Sequence, residues 1–329
     1  MTYATFCRTE LRNYHSFVGK WQRSGFLLAK HCLQEFKLDC QLRRLAERTI
    51  KGYYNNTSNF LIYAEKHHNV TELEEICTLH IKHYVQYLLS KKLTATYTNS
   101  ILKCLRAFFL FAIQEEYIAN NPVAKVRMQK EPKVLIQTFN DDEVRSLLSV
   151  FDYSTYLSAR NKMILAIAFD TGARNTEICS IKRCDIRDDV ILIHGKGNKE
   201  RHVPISPYLH KVMLKYERMR DYYFYDKIIN YENYFLSRTG RPLTKEALEH
   251  IFNQANQNAN VRSSIRCSPH TARHYFAQAC LRNGLDLYSV SRLLGHENIN
   301  ITKRYLQSLE DRSIVEMASK ASPLFNLRL

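Results

Sequence analysis

The chain has 329 residues, 45% hydrophobic and 24% charged, with 48 Lys and Arg against 32 Asp and Glu and a formal net charge of +16. That length allows two domains with a sizeable core, and that charge selects a polyanionic partner, nucleic acid ahead of a membrane surface. The longest apolar runs, Ala107–Ile113 and Met163–Phe169, have seven residues each, too short for a membrane span, and the first residues carry no basic-then-apolar signal, so a cytoplasmic protein is expected. Nine cysteines are scattered without a Cys-x-x-Cys pair, which argues for reduced thiols and against a zinc site. Glycine is scarce, with nine in all, as suits a mostly helical chain.

Residues 1–26 are basic and aromatic, Arg8, Arg12 and Trp21 among them, and read as a helix or an arm of unassigned role. From residue 27 the apolar spacing is helical and predicts helices over 27–42, 48–67, 79–89 and 96–117. The last carries Leu102, Leu105, Phe108, Phe109, Ala112 and Ile113 on one core-facing stripe. This helical unit, residues 27–130, gathers positive charge: residues 81–133 hold nine Lys or Arg against three acids. Lys82, Lys91, Lys92, Lys103, Arg106, Lys125 and Arg127 are candidates for phosphate contact, which adds affinity with little sequence readout. A solvated face would explain the same residues without DNA. Asn121-Pro122 stops the last helix, and the stretch that follows has no periodicity. Residues 131–137 read as a linker, which would suit a clamp closing on a duplex.

The second domain, 138–329, opens with Asn140-Asp141-Asp142-Glu143, a capping sequence ahead of the amphipathic 144–150. Residues 159–169 are apolar on most sides and predict a buried helix. Thr171-Gly172-Ala173 then turns the chain, and Arg174-Asn175-Thr176-Glu177 starts another helix. An arginine just past a glycine turn is rigidly held. Glu177, one turn on, either orients that guanidinium or forms a surface ion pair. A β region follows: strand 190–194, the turn Gly195-Lys196-Gly197-Asn198-Lys199-Glu200 and strand 201–205, with 184–186 as a third, edge strand. Gly-Lys-Gly lacks the spacing and ending of a Walker loop. Helices at about 207–222 and 245–258 flank a tyrosine-rich surface and a short strand at 234–236.

The stretch 268–305 concentrates the chemistry. Ser268 is a good N-cap and Pro269 suits the first helical position, which places His270, Arg273 and His274 on one face. Gly284 ends that helix and Gly295 ends the next, 286–294, each as a left-handed cap. His296 follows Gly295, and Tyr305 lies nine residues further on. A helix is expected from there to about residue 318, then an apolar tail. Arginine binds phosphate oxygens as a planar fork, histidine moves protons near neutral pH, and tyrosine can be a covalent nucleophile. No acidic metal cage lies in the stretch. The set suits phosphoryl transfer onto a tyrosine without a metal or other cofactor.

These motifs resemble the tyrosine recombinase, or phage integrase, family. Thr171-Gly172-Ala173-Arg174-Asn175-Thr176-Glu177 is similar to its first arginine motif, and Gly195-Lys196-Gly197-Asn198-Lys199-Glu200-Arg201 to its β-hairpin lysine motif. His270-x-x-Arg273-His274 resembles its second box, and Leu293-Leu294-Gly295-His296 followed by Tyr305 its last. The resemblance is strong over 138–329 and weaker over 27–130. It implies a mainly α fold with a small antiparallel sheet: a helical core-binding domain and a mixed α+β catalytic domain. It implies a site-specific recombinase in which Tyr305 attacks a DNA phosphate and leaves a 3′-phosphotyrosine. Arg174 and Arg273 would hold the non-bridging oxygens, Lys196 would protonate the leaving oxygen, His270 would assist the tyrosine and His296 would hydrogen-bond the phosphate. Glu177 would stand behind them, and Lys199 and Arg201 are candidates for DNA contact. The implied partners are double-stranded DNA, a homotetramer on synapsed sites joined through the C-terminal segment 307–329, and accessory DNA-bending or directionality factors. Integration or excision of a mobile element is the expected role, with a Xer-like resolvase or a type IB-like topoisomerase as alternatives. A non-catalytic basic DNA-binding protein explains the charge but not the ordered Arg, Lys, His, Arg, His, Tyr set.

Overall fold

The computed structural model describes residues 28–132, 136–195 and 199–306. The chain divides into two compact units, residues up to 133 and residues from 134. Among the described residues there are twelve α-helices and a single two-stranded sheet, so the fold is mainly α with a small antiparallel sheet. No helix among these residues is long and apolar enough to cross a membrane.

The first unit is built from α1 (Ala29–Leu42), α2 (Glu47–His68), α3 (Thr78–Ser90) and α4 (Ala95–Gln114). Phe36, Phe60, Ile81, Leu102, Leu105, Phe108 and Phe109 form its core, and edge-on aromatic pairs such as Phe36–Phe108 fix their packing. The stripe read from the sequence on α4 is therefore the buried face. The helix stops short of the expected Tyr117, because Glu116 turns left-handed (φ 59°). The Tyr117 N–H then returns to Ala112 O at 2.8 Å, and its hydroxyl donates to Glu35 Oε2 at 2.6 Å. Those bonds satisfy the helix end and cover the core.

The second unit follows the order α5 (Asp141–Ser149), α6 (Tyr156–Thr171), α7 (Asn175–Ser180), β1 (Val190–His194), β2 (Glu200–Pro204), α8 (Pro207–Tyr223), α9 (Lys245–Asn258), α10 (Pro269–Arg282), α11 (Leu287–Leu294) and α12 (Ile299–Leu306). The capping box on α5 forms as read, with Asn140 Oδ1 accepting from Glu143 N–H and Glu143 Oε2 from Asn140 N–H, each at 2.8 Å. Helix α6 is the centre of the unit: Met163, Ile164, Leu165, Ala166, Ile167 and Ala168 are all buried, and α5, α7, α8, α9 and α10 pack on it. Strands β1 and β2 pair antiparallel from Val190↔Pro204 to His194↔Glu200.

Two expected strands do not form. Residues 184–186 lie mostly in a 3₁₀ turn, Arg183–Asp185, and their backbone pairs with β1 through an isolated Ile186↔Ile191 bridge. Asp185 Oδ2 accepts the Lys182 N–H at 2.8 Å, so a side chain takes the place of a ladder partner. Residues 234–236 are likewise reduced to isolated bridges around them, Lys182↔Asn233 and Leu236↔Pro242. Pro242 has no N–H with which to extend a ladder.

Gly172 caps α6 in the left-handed region (φ 60°), and a Cβ there would meet Phe276 Cδ1 at 2.5 Å. Gly284 is also left-handed (φ 89°) but has open space. Gly284→Ala should therefore cost only backbone strain, about 1–2 kcal/mol. Gly172→Ala should cost that strain plus overpacking of about 1–3 kcal/mol. Urea unfolding of the two variants should show the larger midpoint drop for Gly172→Ala; equal drops would contradict the packing argument.

Candidate active site

The turn at Gly172 delivers Arg174 to the N-cap of α7. Its N–H donates to Glu177 Oε2 at 2.7 Å and its Nη1 to Glu177 Oε1 at 2.8 Å. Its Nη2 reaches Gly295 O at 3.3 Å. Glu177 also accepts from Arg201, with Nη1 on Oε1 at 3.1 Å and Nη2 on Oε2 at 2.8 Å. The Glu177 side chain is 5% exposed, Arg201 10% and Arg174 42%. Burial pushes the Glu177 carboxyl up, but the Arg201 and Arg174 partners prevail and hold it at about 2.

Arg201, expected to contact DNA, is thus placed inside the unit instead. Its Nε donates to Leu293 O at 2.6 Å, which ties β2 to the end of α11. The physical reason is strand alternation: Arg201 and Val203 share the covered face of β2. Glu177 is an internal bridge between two arginines rather than half of a surface pair.

Helix α10 opens as read, with Ser268 Oγ accepting from Thr271 N–H at 3.2 Å. Arg273 is 3% exposed. Its Nη1 donates to Gly172 O at 2.7 Å and its Nη2 to Leu294 O at 2.6 Å. These carbonyls end α6 and α11, where the helix dipoles favour a cation. Burial and then the charge of Arg174 lower this guanidinium to about 10. His270 is exposed and lies edge-on to His274 at a ring separation of 4.2 Å. Partial burial, then the charges of Arg273, Arg304, Arg174 and Arg266, lower the His270 imidazole.

Past the left-handed Gly295 (φ 64°), His296 Nδ1 lies 2.7 Å from Thr302 Oγ1. Burial and then Arg273, Arg174 and Arg201 lower it to about 4. Tyr305, on α12, is 3% exposed and packs with Phe276, Ala277, Leu281, Val290 and Leu294. Its hydroxyl lies 2.9 Å from His274 Nδ1. Burial raises the phenol, and Arg273, Arg304 and Arg174 oppose the rise. The structure thus gathers Arg174, His270, Arg273, His296 and Tyr305 where α6, α7, α10, α11 and α12 meet. Lys196 lies outside the described residues. Gly195 N–H donates to Lys199 O at 2.7 Å, and Lys199 Nζ meets Glu297 Oε1, next to His296, at 2.7 Å. The sequence motifs give His274 no role of its own. Its signal was present: it sits one turn from His270 on the same face and next to Arg273.

Residues 137–312 match the phage integrase family, and residues 32–119 match the N-terminal SAM-like domain of phage integrases. The chain belongs to the phage integrase family. It is a tyrosine recombinase, an enzyme that cuts and rejoins DNA. It is 31% identical over 269 residues to the tyrosine recombinase XerC of Bacillus pumilus, covering 80% of this chain and 87% of that one. It is 28% identical over 274 residues to XerC of Pediococcus pentosaceus, covering 82% and 90%. Among solved structures, a lambda integrase dimer bound to a COC' core site superposes with a TM-score of 0.69 at 18% identity, over 90% of this chain and 81% of that one. XerH site-specific recombinase bound to a palindromic difH substrate gives 0.67 at 21% identity, over 88% and 84%. Both share the recombinase fold.

In the first unit of the recombinase, Lys82, Lys91, Lys92, Lys103, Lys125 and Arg127 are exposed. Arg106 is half-buried and donates Nη2 to Val126 O at 2.6 Å, so part of its fork holds the loop after α4.

The recombinase should depend on Glu177 for stability. Glu177→Gln leaves Arg201 buried against a neutral amide and should cost about 3 kcal/mol at pH 7, chiefly through Arg201 because Arg174 is better solvated. The folded carboxyl titrates at about 2, below the ordinary value of about 4.3. Its stabilisation is therefore full above pH about 4.3 and is lost as pH falls towards 2. Denaturant titrations of both proteins should show the gap closing across that window; a gap unchanged by pH would exclude the ionised bridge.

Proposed function

We propose that this recombinase exchanges DNA strands through Tyr305, cutting at a specific site and leaving a 3′-phosphotyrosine and a free 5′-hydroxyl. The observation that carries this reading is that the charges of Arg273 and Arg174 both act on the Tyr305 phenol, whose hydroxyl lies 2.9 Å from His274 Nδ1. A phosphodiester placed there would have its non-bridging oxygens on Arg174 and Arg273, and the charge growing in the pentacoordinate transition state would be met by groups already in position. His296 would donate to the phosphate, His270 would assist proton transfer at the tyrosine, and Lys196 would protonate the departing 5′-oxygen. Glu177 keeps Arg174 aimed. One phosphodiester is exchanged for a phosphotyrosine, so the bond energy is retained for rejoining without ATP. Removing Arg174 or Arg273 should slow cleavage by about 10²–10³-fold.

The partner is double-stranded DNA, gripped by the basic residues of the first unit as well as by the catalytic unit. Exchange between two duplexes would take place in a homotetramer linked through segment 307–329, which lies outside the described residues, with accessory bending or directionality factors where the site requires them. Integration or excision of a mobile element is one use of that exchange. The relatives named XerC favour a second, resolution of paired sites on one molecule. Plasmids carrying two sites in cis, compared with sites on separate molecules, distinguish these roles by product.

A nicked suicide DNA from a selected site tests the chemistry. Wild type should yield a covalent protein–DNA band on a denaturing gel, in EDTA as well, and Tyr305→Phe should yield none. Absence of the band on DNA that demonstrably binds, or a band that survives in Tyr305→Phe, would overturn the assignment. Joint replacement of Lys91 and Lys92 by Ala should weaken binding alike on all sequences. It should also reduce the slope of log affinity against log salt by about 2. An unchanged slope would remove these lysines from the DNA interface.

A further inference from the structure

We propose that His194 is a positioning residue of the reaction: as an imidazolium it ties Asp185 to Glu200 and so steadies the strand ends that flank the proposed acid. This rests on the reading of Lys196 as that acid. His194 is the last residue of β1 and pairs across the ladder with Glu200, the first residue of β2. Its Nε2 lies 2.9 Å from Asp185 Oδ1, and its Nδ1 lies 3.1 Å from Glu200 Oε1. A neutral imidazole has one N–H and can donate to one carboxylate, whereas the protonated ring donates to both. Two carboxylates on two ring nitrogens are the surroundings of a cation.

The three groups come from three segments. Asp185 ends the 3₁₀ turn and is 5% exposed. Its other oxygen, Oδ2, accepts the Lys182 N–H at 2.8 Å, so this carboxylate is held in place. Glu200 is 52% exposed and His194 45%, and the imidazolium joins both strand ends to the buried carboxylate. The next ladder pair is Ile193↔Arg201, and Arg201 is fastened to Glu177 and Leu293 O. The outer face of the hairpin is thus held through His194 and the covered face through Arg201, at neighbouring pairs.

The charge that makes this tie is one that pH removes. The groups facing His194 are Asp185 from the 3₁₀ turn and Glu200 from β2. The hydrogen bond to Asp185 is the largest influence, slight burial opposes it, and the charges of Asp185 and Glu200 add to it. Together they raise the imidazole above its ordinary value of about 6.5. The tie is therefore complete below pH about 6.5 and is lost as pH rises through the raised value. Beyond that point the ring keeps one N–H, one carboxylate loses its donor, and the link between the 3₁₀ turn and β2 opens.

Single-turnover cleavage of the suicide substrate at saturating DNA, across pH 6–9, tests this. A second substrate carries sulfur in place of the bridging 5′-oxygen and releases a thiolate, which needs no acid. Tyr305→Phe, inactive on both, and Lys196→Ala, slow on oxygen but restored on sulfur, are run first, so that failure of the nucleophile or of the acid is seen separately. His194→Gln should slow cleavage of the oxygen substrate about 5–10-fold at pH 6, and its gap to wild type should close as pH rises. His194→Lys, a cation across the whole range, should recover much of the rate. On the sulfur substrate wild type and His194→Gln should cleave alike. Glu200→Gln, which removes one of the two carboxylates, replaces the His194 variant if that protein fails to bind DNA. A gap that pH leaves unchanged would make His194 a packing residue, a gap that persists on sulfur would place its effect outside the acid step, and no gap at pH 6 would remove it from the reaction; each overturns the proposal.

Discussion

A carboxylate buried between two guanidiniums keeps the catalytic unit in register. Glu177 accepts four hydrogen bonds, two from Arg174 and two from Arg201, which occupies the lone-pair sites of both oxygens. Through Arg174 it fixes the turn after α6, and through Arg201 it fixes the hairpin to Leu293 O at the end of α11. A lone carboxyl in that position would take up a proton. With two cations it remains an anion, and two segments far apart in sequence become dependent on one point. Strand β2 is thereby anchored to the end of α11.

Arg273 obeys a different logic. It is more buried than Arg174, yet its hydrogen bonds run to Gly172 O and Leu294 O. Two helix C-termini hold the cation without neutralising it. The surplus of positive charge contributes to every shift around it: His270, His274 and His296 are all lowered. A site in which arginines suppress the charging of histidines is one that gains from an anion. The electrostatics therefore fit the proposed ligand, a phosphate diester among the guanidiniums.

Much of this was legible in the sequence because the motifs lie at helix ends, where local rules are strong. Ser268 with Pro269, the box Asn140 to Glu143, and the glycines at 172 and 295 announce where helices start and stop, and so where Arg174, Arg273 and His296 stand. What could not be read was which groups pair across those ends. Arg201 looked like a DNA contact because basic charge in a hairpin is usually solvated. Only the inward neighbour Val203 hinted that its face is covered. His274 stood in plain view beside Arg273, but its meeting with Tyr305 spans 31 positions and is decided by how α12 packs. The missing strands have the same origin: Asp185 and Pro242 remove ladder partners in ways that β-propensity does not register.

Helix α12 shows how far assembly and chemistry are joined. It has eight residues, too few to be stable alone, and its buried residues are Thr302 and Tyr305, one turn apart. Thr302 meets His296 and Tyr305 meets His274, so a single helix face sets two histidines at once. Tyr305 joins the buried cluster of Phe276, Val290 and Leu294, which supplies the burial that a short helix requires. The proposed nucleophile is consequently a core residue of its own docking site. Seating α12 completes the candidate site, and lifting it away would withdraw the tyrosine and the partners of both histidines together. Burial of Tyr305 and the placing of both histidines are thus one packing event.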